Sequence, residues 1–150
     1  MKKTGALLLA LTLLVSIMIF PTQAVSNNTP DIEVIYTESG DFEIVTTTII
    51  YDSMARSSSK SADRIREVKY DGKLIAKITL SATFGYDGKT AWVSSASGSH
   101  TTYDKWNYGS ETIRKSGGTA SLNAKLSHSI HGTLAIDNLS LTCSPSGQIS

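Results

Sequence analysis

Residues 73–84, KLIAKITLSATF, decide the fold class. Leu74, Ala76, Ile78, Leu80, Ala82 and Phe84 fall on one parity; Lys77, Thr79, Ser81 and Thr83 fall on the other. Successive side chains of a strand point to opposite faces, so this segment reads as a long strand with one face on a core and one toward water. Ile75 alone breaks the rule. Beyond the N-terminal apolar run, no useful length of chain carries the 3.6-residue period of a helix.

The turns on either side extend the pattern. Asp71-Gly72 joins the strand to RIREVKY as a hairpin, and Asp87-Gly88 leads into KTAWVSSAS. The second turn fixes Trp92. An even-numbered loop sets it with Thr83, Ser81 and Thr79, away from the Leu/Ile/Phe face, and the favoured two-residue Asp-Gly loop is even. A loop of three or five residues sets it with Phe84.

Upstream, DIEVIYT (31–37) and FEIVTTTIIYD (42–52) are rich in β-branched residues and read as strands. SMARSSSKSAD (53–63) has five serines and no apolar period, which predicts a loop. Downstream, TASLNAKLS (119–127) alternates without error. In TLAIDNLSLTC (133–143), Leu134 and Ile136 share one parity while Leu139 and Leu141 share the other. A strand changes parity only by taking in an extra residue, so a β-bulge or short break is expected at Asp137-Asn138. The whole predicts roughly seven to nine strands in an all-β, antiparallel β-sandwich, of Greek-key or immunoglobulin-like type. Residues 25–63 form an N-terminal strand region and serine-rich loop, and 64–150 form the main portion of the same domain.

The N-terminus has a different character. Lys2 and Lys3 precede an apolar run from Ala6 to Phe20, then Pro21 and Thr22-Gln23-Ala24. This is the layout of a secretory signal peptide cleaved near Ala24. The apolar run falls short of the ~20 residues that span a bilayer. The expected product, Val25–Ser150, is secreted and extracellular, with no stable membrane insertion after cleavage. Losing Lys2 and Lys3 turns a formal net charge of +1 into a slight acidic excess, which leaves no basic patch for nucleic acid. Cys143 is the single cysteine, so no intramolecular disulfide forms. Its place at the end of an apolar alternation fits a buried strand residue; pairing between chains is the alternative.

Aromatic residues give the candidate binding surface: Trp92, Tyr103, Trp106 and Tyr108. An outward Trp92 among Ser and Thr suits a platform for a sugar ring or a partner, and equally suits a second layer of packing. Tyr103, Trp106 and Tyr108 in HTTYDKWNYGS are interleaved with Asn, Asp and Thr, a composition that stacks on and hydrogen-bonds a carbohydrate. The alternative is that Trp106 plugs one end of the fold beneath a loop. His128 and His131, three apart on a strand, point to opposite faces, which argues against a metal site. No nucleophile elbow or cofactor motif is present.

The run from Lys73 to Ser150 contains a strand ending in Ala-Thr-Phe-Gly-Tyr-Asp-Gly-Lys, a Ser/Tyr-rich middle with a Trp, a Lys-Ser-Gly-Gly-Thr-Ala turn and a closing Leu-Thr-Cys-Ser-Pro-Ser-Gly. In these features it resembles small secreted proteins of Gram-positive bacteria with no assigned activity. The resemblance implies a secreted all-β domain and carries no catalytic residues over to this chain. The Ser/Tyr/His-rich middle is also similar to that of secreted bacteriocins of small β-sandwich type. The leading expectation is a non-catalytic module that contacts a cell-envelope glycan or a protein, with no cofactor and no metal. A secreted antagonist of competing cells is the alternative, and a small secreted hydrolase ranks below both.

Overall fold

The computed structural model describes residues 31–51 and 58–150; the expected signal peptide lies outside them. Eight antiparallel strands and no helix occur among these residues. They are β1 (Asp31–Ser39), β2 (Phe42–Tyr51), β3 (Ser59–Tyr70), β4 (Lys73–Tyr86), β5 (Ala91–Thr102), β6 (Asn107–Ser116), β7 (Thr119–His128) and β8 (Gly132–Thr142). One sheet has the order β1-β2-β3-β4-β5 and the other β6-β7-β8. Each strand pairs with its neighbour in sequence, so both sheets are meanders.

The alternation in β4 does what its sequence requires. Ile78, Leu80 and Phe84 are fully buried, and they share one core with Leu122 and Leu126 of β7 and Ile136, Leu139 and Leu141 of β8. Ile75, the residue out of step, sits at a shift in the β3–β4 register, where Val68 pairs with Ala76 but Lys69 with Leu74. The extra residue lets both Ile75 and Ala76 be buried. Asp71 and Gly72 take positive φ (48° and 72°), the backbone that a two-residue hairpin turn needs.

The parity change in β8 is a bulge at the expected place. Leu122 pairs with Leu139 and Ala124 with Ile136, so Asp137 and Asn138 both stand against Asn123. Asn138 has φ 54°, and its N–H donates to the side-chain oxygen of Asn123 at 2.8 Å. Asn tolerates this left-handed backbone better than most residues, which suits it to the bulge.

The serine-rich loop is shorter than the sequence suggests. Residues 59–63, expected in it, form the start of β3 and pair with β4, and 61–63 pair with β2 as well. Ala62 is their one apolar residue, so no alternation marks the strand. Farther along β3, Arg64 and Arg66 share the face of buried Ala62 and Val68 and reach across to β8. Arg64 Nη1 donates to the carbonyl of Ser140 at 2.6 Å, and Arg66 Nη1 donates to that of Asp137 at 3.0 Å. These bonds satisfy carbonyls of a sheet-edge strand that has no further strand partner among the described residues.

The C-terminal segment closes the other end. Cys143 bridges to Ile149, and its N–H donates to the carbonyl of Gly118 at 2.8 Å. Cys143 is 3% exposed, and burial pushes its thiol pKa up.

Candidate functional site

Three chain reversals on one side of the fold build a cleft. They are the β3–β4 turn at Asp71-Gly72, the β5–β6 connection at 103–106 and the β7–β8 turn at 129–131. The cleft has a volume of about 340 Å³. Ile75 and Trp106 form its buried floor, Tyr70 and His131 its aromatic side, and Asp71, Lys73 and Asp104 its exposed rim, beside half-buried His128.

Trp106 organises the rings. Its backbone N–H donates to the carbonyl of Tyr103 at 3.0 Å, closing the connection between the sheets. Its ring centre lies 6.0 Å from Phe42 edge-on, 5.3 Å from His128 and 6.3 Å from a near-parallel His131. Tyr70 lies 4.7 Å from His131. The separations and tilts match those at which aromatic rings attract. His131 therefore has rings on several sides while remaining exposed.

The two histidines meet, contrary to the expectation from strand parity. β7 ends at His128, so residues 129–131 turn instead of continuing the strand. The ring centres come within 4.6 Å. The backbone N–H groups of Ile130 and His131 both donate to His128 Nδ1, each at 3.2 Å. With Nδ1 accepting, the proton of that ring sits on Nε2, which is left as a donor. Among the described residues, no group of three or more His, Cys, Asp or Glu is placed to hold a metal ion.

The four aromatic residues chosen from sequence do not form one surface. Trp106 is 4% exposed and lies in the cleft floor. Tyr103, 42% exposed, opens the same connection. Tyr108 is half-buried, stacked on His100 at 3.8 Å, and its hydroxyl donates to Glu111 Oε2 at 2.6 Å. Burial first, and that bond second, push the Tyr108 hydroxyl pKa well above its ordinary value.

Trp92 lies elsewhere. The β4–β5 loop has four residues, 87–90, so Tyr86 pairs with Ala91 and Trp92 with Gly85. The loop is longer than the favoured two-residue turn and sets Trp92 opposite Gly85, not Thr83; its even length still leaves Trp92 on the outer face, 45% exposed. A Cβ on Gly85 would collide with the indole, so the glycine lets the ring lie flat on the strand. Trp92 is the second residue of β5 and Trp106 follows its end; at about 3.3 Å of rise per residue, they are roughly 30 Å apart.

Sequence reasoning passed over Tyr70, Asp71, Lys73, Asp104 and both histidines as a group. Their signal is positional: each lies in or beside a turn, and the turns of a meander alternate between two ends. No family model, curated protein or solved structure matches this chain.

Proposed function

We propose that this protein is an exported, non-catalytic binding module of β-sandwich build, which contacts the cell envelope or a partner protein through its cleft-bearing end. The carrying observation is the cleft itself: a preformed concavity with an aromatic side, a buried apolar floor and a few polar groups at the rim. That mixture is the usual make-up of a small-ligand site.

The sandwich reading rests on inward side chains of both sheets sharing one core. We take it as two meanders facing each other, in place of a Greek-key or immunoglobulin-like connection, because no non-consecutive strands are neighbours in either sheet. The N-terminal signal layout supports export, and the resemblance of residues 73–150 supports kinship with small secreted proteins of Gram-positive bacteria.

A sedimentation assay tests the function. Exported protein is incubated with intact bacterial cells, and bound protein and cell viability are measured together. The expected result is co-sedimentation with viability unchanged. Killing would replace the module with a secreted antagonist, and protein left wholly in solution would remove the envelope as its partner.

A further inference from the structure

We propose that the cleft takes the terminal one or two rings of an uncharged or N-acetylated saccharide. This assignment rests on the binding-module reading and names its ligand class. A pyranose ring has an apolar face of C–H groups and an edge of hydroxyls that both donate and accept. The cleft offers the complement of each. Tyr70 and His131 present ring surface; Trp106, largely covered, holds them in position. The carboxylates of Asp71 and Asp104 accept, and the Lys73 ammonium and His128 Nε2 donate.

Size and charge narrow the choice. A volume of about 340 Å³ is near the lower end of small-molecule sites. It suits one or two rings in the cleft, with any longer chain running out past the rim. Two carboxylates against one ammonium disfavour a phosphate polymer, because the excess charge repels it. A peptide that docks by β-strand addition needs an open strand edge, and this cleft is walled by turns. A wholly apolar ligand would strip water from the rim charges without replacing it.

The test uses the exported protein and its His131→Ala and Asp104→Ala variants, both altered at exposed positions of the cleft. N-acetylglucosamine trimer, cellotriose and a glycerol-phosphate polymer are titrated by calorimetry, and each variant is also sedimented with cells. Thermal melting confirms that the variants fold. One of the two neutral trisaccharides is expected to bind, and each variant to weaken it about tenfold, the size of one lost hydrogen bond or ring contact. Preference for the glycerol-phosphate polymer overturns the ligand class. Cell binding that depends on His131 and Asp104, with neither trisaccharide bound, overturns the saccharide and leaves the module reading standing. Cell binding indifferent to both substitutions overturns cleft and ligand together. Release of free sugar from a bound trisaccharide keeps the ligand class and ends the non-catalytic reading.

Discussion

The two tryptophans stand at opposite ends of β5 and have opposite surroundings. Trp92 lies flat on Gly85, on an outer face lined by serine and threonine, with nearly half its surface in water. Trp106 is enclosed by Phe42, Tyr70, His128 and His131 where three turns converge. Trp92 owes its place to strand parity, a local rule. Trp106 owes its place to segments far apart in the chain. The exposed ring looks more like a platform, yet the enclosed one builds the better site, because a concavity needs walls from several elements.

The largest expected effect falls on the enclosed ring. Trp106→Ala should cost about 3–5 kcal/mol in urea unfolding, as large aromatic truncations in a packed interior do. A cost below about 1 kcal/mol would put Trp106 in the class of surface residues and end the contrast. Gly85→Ala acts on the other ring, which can swing into water. It should cost about 1 kcal/mol, the low end for overpacking. In a Trp106→Phe background, it should also shift the emission of Trp92 to the red. Unchanged emission would mean that the indole does not rest on the strand.

A smaller effect lies in the loop beside Trp92. The Asp87 carboxylate accepts the N–H groups of Thr90 at 2.7 Å and Lys89 at 2.9 Å, which hold its pKa below the usual 3.8. A depressed carboxylate adds stability that is present above the unfolded pKa and is lost as pH falls through the lowered folded value. The native protein should therefore lose melting temperature below about pH 4 more steeply than Asp87→Ala. Parallel acid profiles would remove Asp87 as a contributor.

Local rules made much of the fold legible. Alternation in residues 73–84 identified β4, and the misfit of Ile75 marked a register shift. The parity change between Ile136 and Leu139 marks the bulge in the sequence itself. Local rules failed at the first five residues of β3. Residues 64–70 read as a strand, but in 59–63 Ala62 is the one apolar residue, so no alternation announces that the strand has already begun. The cleft failed to show for a related reason. The spacing of His128 and His131 means opposite faces only while the strand continues, and here it stops at His128. The approach of Tyr70, Asp104 and His131 is a property of the assembled turns, written in no single segment.

The most direct measurement is cell sedimentation of three proteins side by side: the native chain, His131→Ala and Trp92→Ala. Placing the function at the cleft end predicts that His131→Ala lowers the bound fraction severalfold while Trp92→Ala sediments like the native chain. Loss of binding in Trp92→Ala with His131→Ala unaffected would contradict that placement and move the contact to the outer face of the five-stranded sheet.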